Sequence, residues 1–187
     1  MSAVWPVPNK AFLTSGYQVP RHPAPCSLRL DGNEGPPVGD AVLESLNLVR
    51  GEELRTYPST QRLESLLADR FSLGRDQVLV TAGADDGLLR MCRAFLSPGK
   101  NLIFPTPGFM MIPKFVGWTG GECIEVSWSS PTFPLTEVVE AATEDTVIVC
   151  VTSPNNPTGF VVTPKDLISL SRQLPNALLM VDEAYGE

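Results

Sequence analysis

The chain has one histidine, His22, and four cysteines, Cys26, Cys92, Cys123 and Cys150, with no C-x-x-C pair among them. That scarcity excludes the common zinc-ligand patterns and leaves a Ser-His or Cys-His nucleophile system only His22 to draw on. Scattered cysteines read instead as buried, reduced thiols of a cytosolic protein. Basic charge is also scarce: 14 Lys and Arg stand against 21 Asp and Glu, a formal net charge of -7. No cluster of Lys or Arg offers a surface to nucleic acid or an anionic membrane, so neither is expected as a partner. Long apolar runs are missing as well. The longest, Val147 to Val151 and Ala177 to Val181, fall far short of the ~20 residues that a membrane-spanning helix needs. The first residues, Met1 to Tyr17, carry one Lys and two Pro and no basic region ahead of an apolar block, so a secretory signal is not expected.

What is present is ordinary for a folded domain. The 187 residues are 43% hydrophobic and 19% charged, enough chain and enough apolar content for one core. Residues 1–30, rich in Pro and with three Ser, read as an irregular N-terminal arm. Val38 to Val49 is apolar-periodic, and Gln61 to Phe71 spaces Leu63, Leu66, Leu67 and Phe71 as a helix with one buried face would. From there, strand runs are expected at Gln77–Thr81, Asn101–Phe104, Glu122–Val126, Thr146–Val151 and Ala177–Val181. Helices are expected between them at Asp85–Leu96, Phe109–Trp118, Leu135–Ala142 and Thr163–Leu174. This alternation predicts an α/β fold, a mostly parallel sheet with helices on both faces.

In such sheets, ligands sit beyond the carboxyl ends of the strands. Nearly all the chemically unusual residues fall there. Thr81-Ala82-Gly83-Ala84-Asp85-Asp86-Gly87 places a helix start, with its exposed amides, after a strand, which suits a phosphate. Taken alone, the same residues read more simply as a strand-to-helix turn with Asp85 as N-cap. Ser153-Pro154-Asn155-Asn156-Pro157-Thr158-Gly159 is more constrained: two prolines and a glycine shape a loop that presents Asn156, donor and acceptor both, to an anionic phenolate-type oxygen. Asp182 closes an apolar strand and is expected mostly buried, where a carboxylate needs a cationic or strongly donating partner such as a protonated pyridine nitrogen. Tyr185, three residues on, could bond the same ring. Phe109, after Pro105-Thr106-Pro107-Gly108, could stack on a flat cofactor or pack in the core.

The ordered set LDGNEG (Leu30 to Gly35), TYP (Thr56 to Pro58), AGADDG (Ala82 to Gly87), PTPGF (Pro105 to Phe109), SPNNPTG (Ser153 to Gly159) and VDEAY (Val181 to Tyr185) closely resembles the histidinol-phosphate aminotransferases. These lie within the fold type I enzymes that depend on pyridoxal 5'-phosphate. SPNNPTG and VDEAY mark the superfamily; LDGNEG and TYP point to the histidinol-phosphate branch. The resemblance implies that residues 31–187 are part of the cofactor-binding large domain of a class I/II aminotransferase. It further implies that Ala84 and Asp85 bind the cofactor phosphate through backbone amides and that Phe109 stacks on the ring. Asn156 and Tyr185 would bond the ring's 3-hydroxyl oxygen, and Asp182 the ring nitrogen. Tyr57 would reach the cofactor phosphate of a second subunit, so a cytoplasmic homodimer is implied. Asn33 and Glu34 would lie near the substrate. The implied reaction moves an amino group between histidinol phosphate and 2-oxoglutarate in histidine biosynthesis.

Two departures qualify the resemblance. Ile112 stands where the family often has a tyrosine. The family's Schiff-base lysine, in a Ser-x-x-Lys segment beyond VDEAY, has no counterpart among Lys10, Lys100, Lys114 and Lys165. No catalytic residue is therefore assigned, and the chain is expected to be an N-terminal fragment, inactive alone. Two other readings stay open. One is another fold type I enzyme, a threonine-phosphate decarboxylase or an aromatic or aspartate-type aminotransferase; the other is a non-catalytic remnant.

Overall fold

The computed structural model describes residues 32, 33 and 35–186; the arm expected over 1–30 and Glu34 lie outside the described residues. The described chain falls into two compact units, one ending at Val80 and the other beginning at Thr81.

The first unit holds three helices, α1 (Asp40–Leu46), α2 (Gly51–Arg55) and α3 (Gln61–Phe71), followed by a 3₁₀ turn at Arg75–Gln77. The periodic stretch Val38 to Val49 thus becomes helix over seven residues only, none of them buried. α3 ends where Ser72 turns left-handed (φ 56°) and the Leu73 amide closes back onto the Ala68 carbonyl at 2.9 Å. Ala68 is the one buried side chain of α3.

Gln77–Thr81, expected as a strand, is not one. Val78 is extended (φ -123°, ψ 127°), but no strand among the described residues pairs with it. A β-branched run becomes a strand only when a neighbour takes up its backbone N–H and C=O groups. Here the Val80 amide donates to the Glu64 carboxylate at 3.2 Å instead.

The second unit is a four-stranded sheet, wholly parallel, with helices on both faces. In chain order it comprises α4 (Gly83–Phe95), β1 (Asn101–Thr106), α5 (Met111–Thr119), β2 (Glu122–Ser127), α6 (Leu135–Glu140), β3 (Thr146–Thr152), α7 (Pro164–Gln173) and β4 (Leu178–Asp182). The strands lie in the order β2-β1-β3-β4. Period-two alternation splits the apolar residues between two cores. Leu102, Phe104, Ile148, Cys150 and Met180 face α4 and α5, meeting Leu88, Cys92, Ile112, Phe115 and Val116. Ile103, Val149 and Val151 face the other side, with Trp128, Val138 and Leu170. β1 and β3 are buried on both faces, which is why they read as continuous apolar runs. Pro113 sits at the third position of α5, where no intrahelical partner for an amide exists, so the helix runs straight on.

Ile112 is wholly buried in the first core. The residue that departs from the family pattern packs the interior.

Two predictions follow from these cores. Leu102 is fully buried and Leu54 is 79% exposed, so Leu102→Ala should lower unfolding stability by about 3 kcal/mol, and Leu54→Ala by under about 0.5 kcal/mol, in urea denaturation. The second concerns alkaline pH. Burial pushes the Cys92 thiol from its ordinary 9.0 up to about 11. Burial, with the nearby Glu125 charge adding to it, pushes Cys123 up to about 12. The unfolded chain then releases these protons first, so rising pH favours unfolding. Stability should be unaffected by these thiols below about pH 9 and should fall from there to about pH 12, a fall that Cys92→Ala reduces relative to its own stability at pH 8.

Candidate functional site

The strand order reverses between β1 and β3: the chain leaves β1 toward β2 on one side and leaves β3 toward β4 on the other. At such a switch point the loops beyond the two carboxyl ends diverge and open a crevice. A cavity of about 150 Å³ lies there, lined by Ala84, Asp85, Phe109, Thr152, Pro154, Asn156, Asp182, Ala184 and Tyr185. Six residues singled out in the sequence thus share one cavity. Tyr57 belongs to the other unit and is fully exposed.

Each wall has a local cause. α4 begins at Gly83, whose φ of 77° suits a residue without a side chain. The helix has no side-chain N-cap: Ala82, not Asp85, occupies that position. Asp86 reaches back instead, its Oδ2 accepting from the Ala82 amide at 3.1 Å while Oδ1 accepts from Arg90 Nε at 2.9 Å. The Arg90 guanidinium, with help from that amide, holds the Asp86 carboxyl below the usual carboxylate range. Among the described residues, the Ala84 and Asp85 amides have no acceptor. They stand at the positive end of a 13-residue helix.

Phe109 lies just before α5, half-buried against the first core, rather than inside the helix as expected. Gly108 lets the loop fold this tightly, because a Cβ there would meet Phe104 Cζ at 2.5 Å and the Pro105 carbonyl oxygen at 2.9 Å. Across the crevice, the Ser153 amide donates to the Asp182 carbonyl at 2.9 Å, tying the end of β3 to the end of β4. The Ser153 hydroxyl accepts from the Val162 amide at 3.0 Å.

Asp182 is half-buried, less enclosed than expected, because β4 forms the sheet's edge among the described residues. Its Oδ1 accepts from the Ala184 amide at 3.1 Å, and its Oδ2 has no hydrogen-bond partner among the described residues. Asn156 is half-buried, and its amide group likewise has no partner among them. Tyr185 closes the rim, 48% exposed. No lysine lines the cavity; Lys100 is paired with Asp145 at 2.7 Å. Among the described residues, no group of His, Cys, Asp and Glu could hold a metal ion, and no helix is long and apolar enough to cross a membrane.

Thr152, Pro154 and Ala184 also line the cavity, and Asn155 is 3% exposed and heavily bonded; the sequence placed all four at strand ends but gave none of them a ligand contact. Adjacency to Asn156 and Asp182 was the available signal for all four.

An aromatic ring, a spare amide, a spare carboxylate oxygen and two open helix amides around one crevice form a set of contacts for a flat, phosphorylated, ring-shaped ligand. The profile of the family described as aminotransferase class I and II matches residues 28–187, and the chain belongs to that family. It is 32% identical over 168 residues to the histidinol-phosphate aminotransferase of Haloferax volcanii, covering 85% of this chain and 45% of that protein. To the corresponding enzyme of Paracoccus denitrificans it is 29% identical over 164 residues, covering 86% and 44%. The fold is shared with the histidinol-phosphate aminotransferase of Sinorhizobium meliloti in complex with pyridoxal-5'-phosphate. That match has a TM-score of 0.71 at 21% identity and covers 79% of this chain and 41% of that one. A double mutant of Thermus thermophilus aspartate aminotransferase gives a TM-score of 0.67 at 28% identity, covering 78% and 42%. The chain spans less than half the length of these curated relatives.

The crevice depends on the backbone at Gly108. Gly108→Ala should cost about 1–3 kcal/mol through overpacking against Phe104, read as a lower midpoint in thermal unfolding. Gly117→Ala, where a Cβ meets nothing within 4 Å, should not lower it.

Proposed function

We propose that this chain supplies the cofactor-binding half of a pyridoxal-phosphate aminotransferase acting on histidinol phosphate and 2-oxoglutarate. The observation that carries the reading is the convergence of Ala84, Asp85, Phe109, Asn156, Asp182 and Tyr185 on one crevice. The donor set matches the cofactor part by part. The Ala84 and Asp85 amides would hold the phosphate, Phe109 would cover the ring face, and Asn156 with Tyr185 would bond the 3-hydroxyl oxygen. Asp182 would keep a proton on the ring nitrogen. When bound, pyridoxal phosphate supplies an electron sink for charge developing at the amino-bearing carbon. Asp182 serves that chemistry by its negative charge, which favours the protonated nitrogen. The two open amides serve it by fixing the phosphate, and so the ring, in position.

The names of the curated relatives support the histidinol-phosphate branch, as do the LDGNEG and TYP elements. A second reading, aspartate-type transamination, has the Thermus thermophilus likeness in its favour. A screen of amino donors against protein that includes the family's lysine segment separates the two. We further propose a cytoplasmic homodimer, with exposed Tyr57 directed to the second subunit's cofactor phosphate and Asn33 and Glu34 directed to the substrate.

The direct test is binding. Titrating pyridoxal phosphate into the chain should give saturable absorbance and fluorescence changes, and Asp182→Ala should weaken them about tenfold or more, the loss of one charge-assisted contact. Borohydride reduction should attach the cofactor stoichiometrically to none of Lys10, Lys100, Lys114 or Lys165. Failure to bind, or equal binding by Asp182→Ala, would remove the reading.

A further inference from the structure

Asn155 is more deeply enclosed than any polar side chain that lines the cavity, Thr152 included, yet it is not itself among the residues that line the cavity. Its side chain is fully used. Nδ2 donates to the Pro107 carbonyl at 2.9 Å and to Thr158 Oγ1 at 2.8 Å. Oδ1 accepts from the Thr152 hydroxyl. Its backbone is used as well, donating to the Phe160 carbonyl at 2.8 Å and accepting from the Gly159 amide at 2.7 Å. One amide group therefore joins three things: the last residue of β3, the loop 153–159, and the loop after β1.

The bond to Pro107 crosses the switch point. Pro107 stands two residues before Phe109, and Asn155 stands one residue before Asn156. A single bridging side chain thus sets the separation between the aromatic wall and the amide wall of the crevice. The side chain must be an asparagine in length and in polarity, with two donors on one atom and an acceptor on the other. Aspartate has the same shape but would place an acceptor against the Pro107 carbonyl.

We propose that Asn155 is the positioning residue of this site, holding Phe109 and Asn156 at the spacing that clamps the ring of the bound cofactor. This rests on the pyridoxal-phosphate reading above. It differs from a purely structural role because it acts on the ring contacts and leaves the α4 phosphate contacts alone: no bond runs from Asn155 to Ala84 or Asp85.

The test measures the dissociation constant of pyridoxal phosphate and the melting temperature for purified wild type and variants. Asn155→Asp should weaken binding about tenfold or more, the effect of buried polar groups left without partners. Phe109→Ala should weaken binding too, and the double variant should lose less than the product of the two single losses, because the first residue acts partly through the second. Inhibition of binding by inorganic phosphate, which competes for the α4 amides, should keep its wild-type constant in Asn155→Asp. If Asn155→Asp fails to fold, Thr152→Val decides when combined with Phe109→Ala: Thr152 itself lines the cavity, and only an effect routed through Asn155 to Phe109 gives less than the product of the single losses. Thr152→Val should weaken cofactor binding, and Thr152→Ser should restore it. Wild-type affinity in Asn155→Asp or Thr152→Val overturns the proposal, as do multiplicative losses in either double variant. If wild type itself binds no pyridoxal phosphate, the cofactor reading fails and this one falls with it; wild-type binding with unaffected variants removes only the positioning role.

Discussion

Parallel strands cannot be joined by tight turns, so each strand of this sheet ends in a loop at the carboxyl edge and a helix carries the chain back along one face. That constraint collects the ends of β1, β3 and β4 on one side of the molecule. Right-handed crossovers then decide which face each helix covers. α5, leading from β1 toward β2, lies on one face; α6 and α7, leading in the opposite sense across the sheet, lie on the other. The crevice is the place where these two senses part. The ladder of β3 with β4 pairs Thr152 with Asp182, so their loops leave the sheet at the same height.

The site then distinguishes polar groups spent on the fold from polar groups left over. Asp86 and Asn155 are spent. The first is shared between Arg90 and the Ala82 amide, the second among Thr152, Pro107 and Thr158. Each stands beside a residue of the cavity wall, Asp85 and Asn156 respectively. In both pairs, one of two adjacent polar residues secures the loop and its neighbour lines the crevice. A loop held only by its ligand contacts would have to order itself on binding and would lose affinity to that entropy.

Much of the sheet was legible in the sequence because β1, β3 and β4 are dense β-branched or aliphatic runs, and such runs have few other places to go. Gln77–Thr81 is just as β-rich, yet it is no strand, because pairing is a property of a neighbour and not of the run. Val38–Val49 has helical periodicity but leaves its apolar side chains exposed, since periodicity says which face is apolar and nothing about what covers it. The carboxyl-end loops were legible as a set through their Pro, Gly and Asn content. Within them, sequence favoured Asp85 as the residue turned back to the helix start, where Asp86 takes that part, and singled out Asn156, which does line the crevice while Asn155 secures the loop. Those choices depend on where Arg90 and the Pro107 carbonyl lie, contacts that span a helical turn and 48 residues respectively.

Asp182 brings these points together. Asp86 has both carboxylate oxygens engaged within the fold. Asp182 instead receives one amide on Oδ1 and keeps Oδ2 unengaged among the described residues, at the end of a strand whose last ladder partner is Thr152. That hydroxyl already belongs to Asn155. The sheet therefore pairs a spent residue with a spare one across the β3–β4 ladder, as the two loops do along the chain. An acceptor kept at the mouth of a crevice, beside a spare amide and an aromatic face, stays open to a donor from a ligand. On the proposed reading, the donor that would take this oxygen is a protonated ring nitrogen, which a neutral ligand could not replace at equal strength.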